Sequence, residues 1–541
     1  MKNITNNAKR HALGKSSLTQ LFLLVTLLVA GLTAACGGGN APPIPPPNGM
    51  FSTASLKGTY AFSMAGTDQT GNPIFRIGSF QADGQGNISA AIEDVNDAGL
   101  IEAFQFLPAP ASTYTVSSNG KGSLTLSHTD PNVPGTVDVF TFSIALTSTS
   151  GGLMIESDDS STMSGTFQLQ NITPNFALSY AFETSGVDIA LNQGAPESIV
   201  GAFTTNSTNL ITGGTLDDND GGLLSGPQGI GQGAIIQDPS FFTQFGRGQF
   251  QLNTNIGGEI FNLTYEFYVI DGSHMQFVET DAVKATSGSA TAQSNIPINV
   301  SQFPGNFVLA VGGSADTGPI TRVGVYTADA SGNISNVALD QNIGTKGATV
   351  FPASNSAVSA FTYTIDPSGD GRGTLTLTDK NSGDVFSYIF YLSSATQGFI
   401  QDTSGDVVAD GSLNAQSSNI NLSGTYAFNW TGTNSINGGI EEDFVGTFTF
   451  PSGGGALMNG DVDFVQFGFA NPQLNQSFTG TFTLNGSGTG GGTAGNTFTL
   501  NTSNSSPSTA NFRAYAISNT NFVIVGLNTG RVVLGPLVLQ Q

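Results

Sequence analysis

Four short runs along this chain share a Gly-x-aromatic step: "RIGSFQAD", "SIVGAFTTN", "TRVGVYTAD" and "DFVGTFTFP". Their glycines, Gly78, Gly201, Gly324 and Gly446, lie 123, 123 and 122 residues apart. A second marker follows each run, an Asp-x-Asn or Asp-x-Asp triplet at Asp94 and Asn96, Asp217 and Asn219, Asp340 and Asn342, and Asp461 and Asp463, with spacings of 123, 123 and 121. Two markers keeping one period mean four tandem copies of a domain-sized unit, so a fold proposed for one must serve all four. The copies run over 55–170, 171–298, 299–417 and 418–541.

Within a copy the apolar period is two. In "GTYAFNW", Tyr426, Phe428 and Trp430 alternate with Thr425, Ala427 and Asn429, and "IFNLTYEFYV" alternates in the same way. Such alternation puts one set of side chains on a core face and the other toward solvent. Turn sequences such as "DGQGN", "DASGN" and "SSNGKG" separate these runs and supply the positive backbone angles that tight hairpins need. No helical pattern follows residue 36. The class is all-β, and evenly spaced strands joined by short turns favour antiparallel meanders. Closing each meander into a barrel of about eight strands, fully or nearly, removes its exposed edges. An immunoglobulin-like sandwich is the alternative, although a copy of this length is long for seven strands and no Cys-Trp-Cys signature is present. A single large outer-membrane barrel ranks third, because the tandem period speaks against it.

The segment ahead of the copies is built differently. A basic start (Lys2, Lys9, Arg10, Lys15) leads into "LFLLVTLLVAGL", twelve residues long, then to small residues and Cys36, the only cysteine of 541 residues. A membrane-spanning helix needs about 20 apolar residues, so this core suits an export signal over residues 1–35. With Ala34 and Ala35 directly before Cys36, the pattern resembles the lipobox of bacterial lipoproteins; Thr33 stands where that family usually has leucine. The resemblance covers residues 1–36 and implies cleavage before Cys36, diacylglyceryl attachment to its thiol and acylation of the new amine, palmitate being a usual acyl chain. With Gly37 rather than aspartate next, it implies an outer-membrane destination. More than one acyl chain is what makes such an anchor stable. Residues 36–54, Gly- and Pro-rich, read as a tether that holds the first copy off the membrane.

Charge and composition exclude several function classes. Removing the four basic residues of the leader from a total of 15 leaves 11 against 38 acidic residues, a formal net charge of −27. Such a chain repels phosphate backbones, so nucleic acid is a poor partner. With charged residues at only 10% and hydrophobic ones at 38%, it is nevertheless a folding composition. After lipidation of Cys36 no thiol is left for disulfides, nucleophilic catalysis or zinc, and His128 and His274 are the only histidines beyond the leader.

Three constellations are candidates for chemistry. The Asp-x-Asn triplets (Asp94, Asn96, Asp217, Asn219, Asp340, Asn342, Asp461, Asp463) place oxygen ligands close together and make Ca²⁺ conceivable; the plainer reading is that they cap their own backbone in turns. The pairs Glu156 with Asp158 and Glu279 with Asp281 sit two apart on a strand, a spacing of roughly 6.5–7 Å that falls in the range of paired glycosidase carboxylates. Copies three and four lack the pattern, which favours a structural role. Gly-Lys/Arg-Gly triplets at Lys121, Arg247 and Arg372 invite an anion-site reading against a simpler one, a strand start paired with a nearby acid.

The expectation is a non-catalytic lipoprotein of the cell envelope, anchored in the outer membrane through Cys36 and exposed to periplasm or exterior. No cofactor is required, and the β modules serve for binding or as a spacer. Candidate partners are an extracellular protein, a glycan or a small apolar ligand, the last two held in barrel cavities; a carbohydrate-active hydrolase is the third class.

Overall fold

The computed structural model describes residues 51–541 apart from 131–132, 134, 190–193, 257–258, 352–357, 368, 380–382, 418–419, 421, 436–437, 453–454, 469–471, 484–495 and 503–508. Cys36, the signal segment and most of the tether lie outside the described residues, as does most of "GTGGGTAGN" in the fourth copy.

Each copy forms one antiparallel sheet of nine strands. In the first module these are β1 (Lys57–Asp68), β2 (Pro73–Asp83), β3 (Ile88–Asp97), β4 (Leu100–Phe106), β5 (Thr113–Val116), β6 (Lys121–Thr129), β7 (Val137–Ser148), β8 (Gly151–Glu156) and β9 (Ser161–Leu169). Their order, β4-β3-β2-β1-β9-β8-β7-β6-β5, is a meander whose first strand pairs with its last, so the sheet curls into a barrel. In the first and third modules the fourth and fifth strands do not pair, leaving a nearly closed barrel. The second and fourth close: strand Ala195–Thr205 also pairs with Leu210–Asp220, and Gln473–Thr483 with Asn496–Thr502. In each, eight strands then make a continuous ring and the ninth (Gly233–Gln237 or Gly455–Ala456) lies against it as a patch. The ladder runs first strand to last in every module, which is a barrel and not a two-sheet sandwich.

The recurring Gly-x-aromatic step has a steric cause. Gly78 pairs with Phe62 of β1, whose ring lies across it, and a Cβ there would stand 2.5 Å from Phe62 Cζ. Gly201 and Gly446 receive Phe182 and Phe428 in the same way, at 2.6 and 2.7 Å. Two residues on, the aromatic points inward: Phe80 stacks on Tyr60, Phe203 on Tyr180 and Tyr326 on Phe307, with centroids 5.4, 5.4 and 5.6 Å apart. These rings anchor four separate interior clusters, one per barrel.

Three layers fill each barrel. At one end the chain entering the module folds over the mouth, so that Leu56, Phe176, Phe303 and Leu422 pack against the interior clusters. The aromatic and aliphatic core occupies the middle. A buried ion pair stands at the other end: Arg76 with Glu93 (3.3 Å) and Glu156 (3.9 Å), Lys284 with Glu197, Arg322 with Asp402, and Arg531 with Glu442. The cation comes from the second strand in the odd modules and from the last strand in the even ones.

The outward-facing residues correct the sequence reading. Alternation was expected to turn the second set of side chains toward water, yet β1 is buried on both faces over most of its length. Outward residues of the first three strands of each module pack on the seventh to ninth strands of the next. Four further apolar clusters result: first with second module (Ala61, Ile77, Tyr268, Val278), second with third (Ala181, Val200, Ile389, Tyr391), third with fourth (Val308, Val323, Tyr515, Val525), and fourth with first (Ala427, Val445, Ala145, Ile155). The same head-to-tail interface used four times closes a ring.

Candidate functional site: the seam that differs

Three side-chain latches build each of the first three seams. In the first, the Asp of the Asp-x-Asn triplet accepts from an arginine and a tyrosine of the following module. Arg247 donates from Nε and Nη2 to Asp94, both at 2.8 Å, and Tyr268 adds its hydroxyl at 2.8 Å. Arg372 and Tyr391 hold Asp217 at 2.7, 2.8 and 2.8 Å. Arg513 holds Asp340 at 2.5 Å, and Tyr515 donates to the same carboxylate. Each is a charge-assisted bond to a buried acid, the kind that fixes geometry most firmly. The fourth copy lacks the Gly-Arg-Gly triplet; its arginine comes instead from the neighbouring strand Thr509–Ala516, two residues before Tyr515.

In the second latch, the Asn amide donates to two backbone carbonyls that flank the turn between the eighth and ninth strands of the next module. Asn96 reaches Glu279 O and Lys284 O, both at 2.8 Å; Asn219 reaches Asp402 O and Val407 O at 3.1 and 2.8 Å; Asn342 reaches Gly526 O and Arg531 O, both at 2.9 Å. The third latch is a glutamine directly after a module's last strand. Gln170 donates to Phe245 O and Val269 O at 2.8 and 2.5 Å, Gln293 to Asp370 O and Leu392 O at 2.7 and 2.8 Å, and Gln416 to Ala516 O at 2.7 Å. At the end of the chain Gln540 donates to Asn119 O and Leu146 O of the first module, at 2.9 and 2.8 Å. The C-terminus thereby closes the ring beside the start of the described chain, since a Cβ on Gly120 would meet both Gln540 and Phe51.

The seam between the fourth and first modules departs from the other three. Its cation is Lys121, which donates to Asp461 at 2.7 Å and Asp463 at 2.8 Å, and Ala145 stands across the ladder from it where Tyr268 and Tyr391 stand across from Arg247 and Arg372. Asp463 replaces the asparagine and has no N–H to donate. The turn it would have bonded, residues 157–160, instead borders a cleft of about 250 Å³. Its walls include Asp68, Asp158, Asp159 and Thr162 of the first module with Gln466 and Phe467 of the fourth. Two of these acids serve their own turns: Asp68 accepts from the amides of Thr70 and Asn72 (2.8 and 2.7 Å), and Asp158 from those of Thr141 and Ser160 (2.6 and 2.9 Å).

At two seams a pair of buried carboxyl groups lies together without a cation between them; at the first–second seam Glu266, beside Arg247, is also raised by burial, to about 7. At the fourth–first seam Glu441 accepts from Thr67 of the first module, and Asp443 lies beside Thr431 and Ser164. Burial, reinforced by the charge of Asp443, pushes Glu441 well above the ordinary carboxylate range; burial likewise raises Asp443 to about 7. At the second–third seam Glu183 faces Asp410. Burial and then the charge of Asp410 push Glu183 far up, and burial raises Asp410 to about 6.

The residues singled out from sequence are thus distributed as follows. Asp94, Asn96, Asp217, Asn219, Asp340, Asn342, Asp461 and Asp463 lie in strands and each works across a seam; Asn96 also caps its own turn, accepting from Gly99 N at 2.8 Å. Calcium at the first three triplets would have to displace an arginine and a tyrosine from the carboxylate. Among the described residues no group of three or more His, Cys, Asp or Glu is placed to hold a metal ion. The Gly-Lys/Arg-Gly cations are the partners of those same acids one module earlier. Glu156 and Glu279 point into the polar ends of their barrels, where burial raises both and serine or threonine hydroxyls donate to them. His128 stacks between Phe104 and Phe140, with centroids 4.3 and 5.4 Å away, and His274 pairs with Asp271 at 2.9 Å. Sequence reasoning missed the glutamine latch, although Gln170, Gln293, Gln416 and Gln540 recur at 123, 123 and 124 residues.

No family model and no curated protein matches the chain. Among solved structures it aligns with "The Structure of Intact Ap-TbpB (N and C lobes)" over 93% of this chain and 97% of that one, at 9% identity and a TM-score of 0.18. A likeness this slight carries no argument about fold or function. No helix among the described residues is long and apolar enough to cross a membrane.

Proposed function

We propose that this chain is a non-catalytic lipoprotein of the cell envelope, anchored in the outer membrane through acyl groups on Cys36, whose four barrels form a closed ring that works as a display platform or spacer. The observation that carries the reading is how the recurrent chemistry is used: the triplets, the basic residues and the terminal glutamines all join module to module. Selection for a repeated reaction would have left such groups facing a shared substrate space. Ring closure also places Phe51, where the tether arrives, beside the C-terminus.

The decisive experiment is incorporation of labelled palmitate in cells. The wild type takes up label and fractionates with membranes; Cys36→Ser takes up none and is released. Soluble, unlabelled wild-type protein would end the reading. Protease shaving of intact cells then distinguishes external from periplasmic display, with a block of lipoprotein processing as control.

A second reading, binding of a glycan or other small ligand, is favoured by the cleft at the fourth–first seam rather than by the barrel interiors, which side chains fill. Ligand-observed NMR against a panel of mono- and disaccharides tests it, with Gln466→Ala as the variant expected to lose any signal.

A further inference from the structure

We propose that the seam between the fourth and first modules is the ring's one opening joint, and that the buried carboxyl pair Glu441 and Asp443 makes its closure depend on pH. The first part rests on covalent connection. The chain itself spans the other three seams, so parting any of them leaves the modules linked, whereas the fourth and first meet only by noncovalent contact. That contact also has the apolar cluster that is purely aliphatic. Its apolar cluster is Ala145, Leu153, Ile155, Ala427, Val445 and Val465, without an aromatic ring, against Phe75, Phe245 and Tyr268 among others at the first–second seam. It lacks the asparagine of the triplet and holds a cleft where the other seams have that bond; a different residue, Asn429 of the fourth module, donates to Met154 O and Gly165 O of the first, both at 2.9 Å.

The second part rests on what surrounds the two acids. Both lie on strand Ile440–Phe450, at 3% and 0% exposure. From the first module β1 contributes Thr67, with Asp68 at its end, and β9 contributes Ser164; Ser161 donates to Glu156 of β8, which turns into its own barrel toward Arg76. From the fourth module strand Gly424–Asn434 contributes Thr431, while its Asn434 donates to Glu442, and strand Met458–Gln466 carries Asp463, held by Lys121. The neighbouring cations are engaged elsewhere: Arg76 by Glu93 and Glu156, Lys121 by Asp461 and Asp463, Arg531 by Glu442. Hydroxyls and further acids therefore face the pair, and a hydroxyl can satisfy a neutral carboxyl without neutralising an ionised one. Glu441 and Asp443 titrate high in the closed seam and return to the ordinary range once the faces part. The sign follows from linkage: closure is at full strength below about pH 4 and is lost as pH rises through the raised values, about 7 for Asp443. The joint shuts in acid and loosens toward alkaline pH.

The test is a pulsed electron-spin distance measurement in the full chain carrying Cys36→Ser, which leaves the introduced thiols as the only ones and makes the outcome independent of lipid anchoring. Spin labels at Ser150→Cys and Asn519→Cys span the fourth–first seam; labels at Ser89→Cys and Ser273→Cys span the first–second seam as reference. The fourth–first pair is expected to give one narrow distribution at pH 5.5 and to gain a longer component at pH 8.5, with the reference pair unchanged. Glu441→Gln with Asp443→Asn should hold the narrow distribution at both values. A distribution that does not move with pH overturns the proposal, and so does a response that survives in the amide variant. Should the double variant fail to fold, the wild-type comparison with its internal reference still decides.

Discussion

The first–second and fourth–first seams use the same strands of equivalent modules, yet they are held by different physics. At the first, Asp94 takes a bidentate arginine and a tyrosine, Asn96 stitches two backbone carbonyls, and Phe75, Phe245 and Tyr268 bury aromatic area. At the other, a lysine shares two carboxylates, Asn429 donates to two backbone carbonyls from a different strand, aliphatic residues make up the cluster, and two buried acids have hydroxyls for company. The contrast teaches that a duplicated interface need not stay equivalent: the first–second contact is aromatic and arginine-latched, whereas the fourth–first contact, which no covalent link supports, is aliphatic and lysine-latched and buries a pair of acids. The altered pairing also gives register. Lys121 with Asp461 and Asp463 differs from the Arg-Tyr-Asp code, so the fourth module is matched to the first and less well to the others.

Perturbing the two seams should separate these contributions. Phe75→Ala removes a fully buried ring from the first–second seam and should destabilise by about 3–5 kcal/mol, read as early loss of the first-module transition in calorimetry. Lys121→Met strands Asp461 and Asp463 at the other seam. Because Asp461 keeps partial access to water, the cost should fall near or below the ~3 kcal/mol lower end for broken buried pairs, with hydrogen exchange rising at the fourth–first seam alone. The second–third seam tests whether a covalent connection masks the pH effect. Its Glu183 and Asp410 contribute stability in acid that is lost as pH rises through about 6 for Asp410. Glu183→Gln should therefore be near neutral at pH 5 and gain roughly 1–3 kcal/mol at pH 8, checked by denaturant unfolding at both values. Gln540→Ala takes away two bonds of the C-terminal clasp and should cost about 1 kcal/mol, seen as faster exchange of the Gln541 amide that bonds Thr147 O. Calcium followed by a chelator should leave the melting profile where it was, because arginine and tyrosine already occupy the carboxylates of the first three triplets.

Much of the architecture was legible in the residues. The shared period of Gly78 and Asp94 with their counterparts gave four units; the alternation in "GTYAFNW" gave strands with an aromatic inner face; turn signals gave the meander. The odd and even copies could not be told apart in the same way. Closure of the second and fourth barrels depends on whether Ala195–Thr205 and Leu210–Asp220 bend far enough to meet their partners, and no periodicity reports curvature. The candidate site was half visible. Asp94 and Arg247 were both marked as recurring, but 153 positions separate them, and only when one barrel lies on the next do they become donor and acceptor. Gln170 went unnoticed because a glutamine after a strand looks like an ordinary polar terminus.

The amino-acid order alone settled what is local: four copies of an all-β unit whose inner face is aromatic, since alternation, turn chemistry and steric fit at glycine act over a few residues. Only the tertiary structure decided that the outer faces are interfaces, that the units close into a ring, and that one of four seams is unlike the rest. Those outcomes depend on contacts between residues more than a hundred positions apart, and a side chain shows its partner only after the chain has returned to bring the two within bonding distance.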